Sequence, residues 1–366
     1  MDTAENIVIN TRSLTAALTG VQRYGAELCA LFGSKITKVS PSRPLQGMTG
    51  HLWEQLQLPL LVKGRLLWSP ANSGPIMVAR QVVTIHDIAV IDHPEWFNSR
   101  FAAWYRWMTP RLVRRVSHVI AVSEFTKRRL VEVTGVDGSR VSVVANGVDK
   151  RFSPRPPEEV AATRQRLGIP TPDYILSLAT LEPRKNLSGQ LEAWSRCVSQ
   201  LPDNVWLVIA GGKGKGHVFG DLQLRNIPPR VHFTGYVQDE DLPALYSGAI
   251  TLLYPSFYEG FGLPVLEAMA SGTASIVSNS TAPHEVAGDT GIAVDPHDPD
   301  SIASTIVRVV QDGRWREELG HRSVRRSEAF SWARAADSTW HVLTEAARRN
   351  VGGSMSAAEQ SQSTRF

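Results

Sequence analysis

The chain has 366 residues, 42% hydrophobic and 20% charged, enough for two globular domains of about 150 residues, each with its own core. No apolar run reaches the roughly 18 to 20 residues that would span a bilayer, the opening MDTAENIVIN lacks a basic segment followed by a hydrophobic one, and two cysteines, Cys29 and Cys197, indicate neither a disulfide framework nor a zinc site. A net charge of +4 permits anionic substrates or a membrane surface and requires neither, and the location expected is cytoplasmic.

The first predicted strand, Ile7 to Ile9, runs into a loop holding Thr19-Gly20-Val21-Gln22-Arg23-Tyr24 and then a helical pattern to about Leu31. Strand, glycine turn, helix is the phosphate approach of nucleotide-binding α/β units, although an ordinary turn reads alike. Apolar runs at Leu66–Trp68 and Val82–Ile85 are further buried strands, the second ending at His86-Asp87. Carboxyl ends of parallel strands face the ligand crevice, so His86 is either a site residue or a satisfied strand-end histidine. His86 and His93 with Asp87 and Asp92 fit no compact metal-ligand spacing.

From 98 to 116, Phe101, Trp104, Tyr105, Met108, Leu112 and Val116 form one apolar helical face, against Arg100, Arg106, Arg111, Arg114 and Arg115. Pro110 is expected to kink or break this helix. Through Arg129 the stretch suits either a core helix with a solvated basic face or peripheral contact with an anionic bilayer, at about 1 kcal/mol per basic residue. Nothing resembles a groove-reading motif, so nucleic acid is not an expected partner. His118–Val122 is a strand, Ser123 caps a helix to about Val133, and Val141–Val144 closes the first half before Asn146-Gly147-Val148-Asp149. The proline-rich 152–173 reads as a linker around one charged helix.

The second half opens with strand Tyr174–Ala179 and then Thr180-Leu181-Glu182-Pro183-Arg184-Lys185-Asn186, where Asn186 can cap the next helix. Arg184 and Lys185 then lie at a carboxyl edge, a bidentate fork beside a point charge, suited to a diphosphate. Asn204–Ala210 is a strand leading into GGKGKG, which lacks the residues that would complete a phosphate-binding P-loop and reads as a flexible loop. A strand follows in VHFTGYV (231–237), ending at Gly235, then a helix at Asp239–Ser247 and a strand at Ile250–Tyr254. After short strands at Ala274–Val277 and Ile292–Val294, Asp298-Pro299-Asp300 imitates a metal-holding Asp-x-Asp but precedes a helix and reads as a cap. A helix over Ser331–Arg348 ends the ordered chain, with a disordered tail expected over 350–366.

Between these elements lies YEGFGLPVLEAMASG, Tyr258 to Gly272. If a helix starts near Leu263, its free N–H groups and dipole make an anion site at Phe261-Gly262, with Glu267 about one turn in and Glu259 on the loop, each able to accept hydrogen bonds from hydroxyls. The pattern reads as sugar, diphosphate, sugar.

This stretch resembles the signature of the retaining GT-B glycosyltransferases of family 4, and AVSEFTKRRL resembles the same family. The resemblance implies two Rossmann-like domains facing a cleft, about 1–155 and 172–330, with a C-terminal helix (331–349) crossing back to the first. It implies donor-ribose binding by Glu267, donor-sugar contact by Glu259, and diphosphate contact by the backbone from Gly260 through Phe261, Gly262 and Leu263. It further implies diphosphate roles for Gly20, Val21 and Lys185, base contact by the backbone at Gly235, Tyr236 and Val237, and a place for His86 near donor sugar and acceptor. The family's arginine before the lysine is missing from Leu178-Ala179-Thr180, so Arg184 stands in for it only by position. TLEPRKN and HPEWF look most like bacterial mannosyltransferases, implying transfer from GDP-mannose to a glycan or lipid-linked glycan in polysaccharide synthesis, with no metal and no cofactor beyond the donor. The alternatives are another donor such as UDP-glucose, a nucleotide-sugar epimerase, or a non-catalytic sensor.

Overall fold

The computed structural model describes residues 7–15, 19–45, 47–179, 182–211 and 227–362. They form two compact units: unit 1 contains 1–88, 104–147 and 332–366, and unit 2 contains 89–103 and 148–331.

Unit 1 is built on a six-stranded sheet of β1 (Ile7–Asn10), β2 (Thr37–Val39), β3 (Leu66–Ser69), β4 (Gln81–Ile85), β5 (His118–Ala121) and β6 (Val141–Val143), in the order β2-β1-β3-β4-β5-β6 with every pairing parallel. β1, β3 and β4 are buried at every position, as expected when helices cover both faces of a parallel sheet. β2 escaped the sequence reading because it is an edge strand with two exposed residues and no apolar run. The final helix, Trp332–Gln362, belongs to this unit; Trp340 packs at 5.4 Å from the Phe32 ring of the Gly20–Phe32 helix, and Arg80 Nη2 donates to the Ala347 carbonyl at 3.3 Å. The expected return of this helix is therefore observed. It also continues past Asn350, where disorder was expected, because extending an existing helix costs far less than nucleating one and the stretch holds Ala, Met, Glu and Gln.

Unit 2 carries β7 (Tyr174–Leu178), β8 (Trp206–Ala210), β9 (Val231–Gly235), β10 (Thr251–Tyr254), β11 (Ser275–Ser278) and β12 (Gly291–Val294), ordered β12-β11-β10-β7-β8-β9 and again parallel. Its core gathers Ile175, Leu207, Leu253 and Ile276 from the sheet against Trp194, Ile302 and Ile306 from helices. Two parallel six-stranded sheets with flanking helices match the expected fold class.

Three local expectations need correction. Of the expected kink or break at Pro110, the break does not occur, since the helix Ser99–Arg115 runs through it: a proline inside a helix costs about 3 kcal/mol, whereas fully burying Met108, Leu112 and Val113 contributes about 1.5–3 kcal/mol each. Gly20 is not in a loop but is the first residue of the Gly20–Phe32 helix, with Thr19 extended before it. Residues 89–103, placed by the sequence reading in the first half, pack in unit 2, where Tyr258 donates to Asp92 Oδ2 at 2.9 Å and His93 lies 5.7 Å from the Tyr258 ring. The GGKGKG loop beyond Gly211 and the Thr180-Leu181 step lie outside the described residues.

Candidate functional site

In unit 2 the chain builds β7, β8 and β9 outward and then returns to lay β10 on the other side of β7. At such a reversal the loops leaving two neighbouring strands diverge and open a crevice at their carboxyl ends. The loop after β7 brings Arg184 and Lys185 there, and the loop after β10 brings Glu259.

Asn186 holds the first loop in place. It sits in the left-handed region (φ 55°), its Oδ1 accepts from Gly189 N at 3.2 Å as the cap of the Leu187–Cys197 helix, and its Nδ2 donates to the carbonyls of Pro255 (3.1 Å) and Pro296 (2.7 Å). Phe257 N donates to the Arg184 carbonyl at 2.9 Å. The loops after β7, β10 and β12 are thereby tied to one another through backbone carbonyls.

Their side chains close into one buried network. Lys185 Nζ donates to Glu259 Oε1 and to the Tyr254 hydroxyl, both at 2.5 Å, and the Tyr254 hydroxyl donates to Glu259 Oε1 at 2.9 Å. Arg184 reaches Glu259 Oε2 through Nη1 and Glu182 Oε2 through Nε, both at 2.7 Å. Burial by itself would raise the Glu259 carboxyl, but the adjoining Arg184 and Lys185 outweigh it and hold the pKa at about 2. Burial lowers the Lys185 pKa, and Glu259 opposes that shift. The sequence suggested separate tasks for these residues, a cation pair for phosphate and a carboxylate for hydroxyls. The structure makes them one salt-bridged unit and adds Tyr254, whose partner Lys185 is 69 residues away, and Glu182, which pairs with Arg184 two residues on.

Beyond the loop, Gly262 begins the Leu263–Ala270 helix at φ 100°, and a Cβ there would lie 2.9 Å from Pro283 Cγ, so glycine is required. Val265 and Leu266 N–H already bond to the Gly262 carbonyl and Pro264 has none to offer, which narrows the anticipated anion cradle to the N–H groups of Phe261, Gly262 and Leu263; no backbone hydrogen bond among the described residues uses them. Glu267 lies on this helix, buried, with the Tyr246 hydroxyl donating to its Oε2 at 2.9 Å. Gly235 ends β9 with φ 71°, followed by exposed Tyr236 and buried Val237; β9 is two strands from β7, and no hydrogen bond among the described residues joins this corner to the Lys185 network.

Of the residues expected in the first half, His86 stands at the carboxyl end of β4. Its Nε2 donates to the Pro70 carbonyl at 2.7 Å, its N–H donates to Asn72 Oδ1 at 2.6 Å, and its ring meets Tyr24 edge-on at 4.8 Å. Burial drives its pKa down to about 4, against the modest pull of the Pro70 carbonyl, so the ring is neutral at pH 7 and acts as a hydrogen-bonding group. Gly20 and Val21 lie in the first helical turn.

Two family descriptions match the chain: Glycosyltransferase Family 4 over residues 64–152 and Glycosyl transferases group 1 over 159–326. The O-antigen chain mannosyltransferase B of Escherichia coli is 33% identical, with 91% of this chain and 98% of that protein aligned. The O-antigen chain mannosyltransferase RfbU of Salmonella typhimurium is 29% identical over 76% of this chain and 74% of its own. Among solved structures, Anabaena HepE in complex with UDP and glucose superposes with a TM-score of 0.73 at 18% identity, covering 93% of this chain and 99% of that one, which is a likeness of fold.

Proposed function

The chain belongs to the family 4, group 1 glycosyltransferases and is a hexosyltransferase, and from that premise we propose that it transfers mannose from GDP-mannose to a hydroxyl of a glycan or lipid-linked glycan during cell-surface polysaccharide synthesis, with retention at the anomeric carbon. The observation that carries this reading is the meeting of Arg184 and Lys185 on Glu259 at the β7/β10 crevice, beside the turn where the Phe261, Gly262 and Leu263 amides begin a helix. Breaking a glycosyl phosphate bond leaves charge on a diphosphate. Two cations and backbone N–H groups held in place before the reaction stabilise that charge without reorganising. The donor diphosphate is held by the two cations, while Glu259 and Glu267 accept hydrogen bonds from sugar and ribose hydroxyls. Attack comes from the face the diphosphate leaves, the departing phosphate taking the acceptor proton. The cations do the electrostatic work, so transfer requires no metal and survives EDTA. The mannosyl and polysaccharide assignments rest on the two O-antigen relatives.

Thermal melts with GDP-mannose, GDP-glucose, UDP-glucose and ADP-glucose test the donor, since a ligand at a hundred times its Kd adds about 2.7 kcal/mol to the folded state. Stabilisation by UDP-glucose alone would replace both base and sugar, and a β-linked product by NMR would overturn retention. Turnover of GDP-mannose with no acceptor to another nucleotide sugar would instead mark an epimerase.

The acceptor side includes a basic surface that suits peripheral contact with anionic lipid. No described helix is long and apolar enough to cross a membrane. Arg106, Arg111, Arg114 and Arg115 are exposed on the Ser99–Arg115 helix around Trp107, which is 45% exposed and carries the Arg111 guanidinium 4.8 Å above its ring. Also in unit 1, Leu56 and Leu60 are exposed at 66% and 76% on adjoining helices. Flotation with phosphatidylglycerol vesicles, absent with phosphatidylcholine alone and weakened by salt, is the expected behaviour.

A further inference from the structure

Unit 1 repeats the reversal of unit 2. Its chain lays β2 on one side of β1 and then β3 on the other, so the carboxyl ends of β1 and β3 open a second crevice of the same kind. A buried charged network fills its floor. Glu54, on the Gly47–Leu56 helix and the only acid between Glu27 and Asp87, accepts from Asn10 Nδ2 at 2.7 Å at the end of β1 and from Ser73 Oγ at 3.1 Å in the loop after β3. Arg12 Nε lies 3.0 Å from its Oε1 and His51 Nδ1 3.4 Å from its Oε2. The Glu54 side chain is 2% exposed, whereas Arg12 keeps 13%. Burial would raise the Glu54 carboxyl, but His51 and Arg12 together hold it below the usual carboxylate range.

An ion pair in such a place is weak evidence for stability, because desolvating both charges offsets their attraction, and apolar residues of like volume would serve the core as well. The backbone nevertheless makes room for this one. A Cβ on Gly50 would fall 2.4 Å from Arg12 Nη1, so the guanidinium lies directly against a helix backbone that only glycine leaves open. An aromatic wall adjoins it: the His51 ring is 5.4 Å from Trp104 and 5.6 Å from Tyr105, and the buried Trp104 Nε1 has no hydrogen-bond partner. Hydrogen-bonding groups beside an aromatic wall suit a neutral sugar, whose hydroxyls need partners and whose C–H face needs a flat apolar surface.

We propose that Glu54 is a positioning residue that holds Arg12 and Asn10 at the β1/β3 crevice as the hydrogen-bonding floor for the acceptor sugar. This rests on the transferase reading above, and it names residues for the half of the reaction that the Lys185 network does not serve. In steady-state assays with GDP-mannose and octyl α-mannoside, Glu54→Gln raises the acceptor KM about tenfold or more and leaves the donor KM within twofold. Gly50→Ala, which removes no polar group and displaces the end of the Arg12 side chain while bringing its Cβ to 3.0 Å from the Leu45 carbonyl oxygen, shifts the acceptor KM in the same direction while the protein stays folded. Donor and acceptor KM moving together with the melting temperature in both variants, or an unchanged acceptor KM in either folded variant, overturns the proposal. Wild-type protein that transfers nothing from any nucleotide sugar overturns the transferase reading as well, and the wild-type control tells the two failures apart.

Discussion

The two units place a buried glutamate at the same topological position, between the carboxyl ends of the strands where the sheet order reverses, yet they surround it differently. Glu259 meets an arginine, a lysine and a tyrosine hydroxyl, whereas Glu54 meets one arginine, a histidine, an amide and a serine. Glu182 takes the other edge of Arg184, so the unit 2 network is balanced at rest. Its cations nevertheless carry donors that a diphosphate can use, while unit 1 offers a floor of mixed donors and acceptors. Topology supplies the crevice, and in the proposed readings the charge of the side chains converging on it distinguishes an anion site from a neutral polyol site.

Lys185→Ala should break the contrast most sharply. Loss of a charge-stabilising donor typically lowers kcat about 100- to 1,000-fold, measured as initial rates with saturating GDP-mannose, and a wild-type rate would refute the role given to this lysine. Removing the carboxylates compares the networks through stability. Glu259→Ala leaves the buried Lys185 and the half-buried Arg184 without their shared partner, a loss of a buried pair that costs about 3–5 kcal/mol, and Glu54→Ala, stranding one arginine, should cost less in urea titrations; a larger loss at Glu54 would reverse the ranking.

Acid separates the units by window. His86 titrates at about 4 when folded against 6.5 for the free side chain, so between those values the unfolded chain binds more protons and stability falls as pH falls, by up to roughly 3 kcal/mol at 1.36 kcal/mol per unit. Glu259, held at about 2 against 4.5, contributes stability that is present above pH 4.5 and is lost only as pH falls toward 2. Urea melts from pH 7 to 3 should show the His86 limb first, and His86→Phe should flatten it. The smallest effects should be equal in the two units: Ser123 accepts from Thr126 N at 3.0 Å and Asp298 from Asp300 N at 2.9 Å as helix caps, and alanine at either should cost about 1 kcal/mol.

The strands of both sheets were legible because parallel strands buried on two faces appear as short apolar runs, and β2 was not because its exposed edge leaves no such run. The helix at Gly47–Leu56 went unread for a related reason: its buried face includes His51 and Glu54 as well as Trp53, so polar residues that the tertiary structure satisfies interrupt the apolar period. The caps at Ser123, Asn186 and Asp298 were each anticipated and each bonds as expected, since a cap acts within three residues. Glu259, Lys185 and the Gly262 turn were recognised from adjoining words in the chain. Tyr254, Arg12 and Glu54 were not, because the contacts that tie them into their networks, Tyr254 to Lys185, Arg12 to Glu54 and Glu54 to Asn10, join residues far apart in the chain; Glu182 pairs with Arg184 two residues on, and its place in the network shows only once Arg184 also meets Glu259.

Local sequence determined where strands, turns and helix starts fall, because backbone preferences and capping bonds operate over a few residues. Which charges share a site was decided only when the chain folded. Arg184 and Glu259 are 75 residues apart and meet because parallel strands deliver their loops to the same edge of a sheet, whereas Asn10 and Glu54, 44 apart, meet because the Gly47–Leu56 helix lays Glu54 against the end of β1. The displacement of 89–103 into unit 2 has the same origin: a segment follows the surface that best buries and hydrogen-bonds it, and that surface belongs to residues far along the chain.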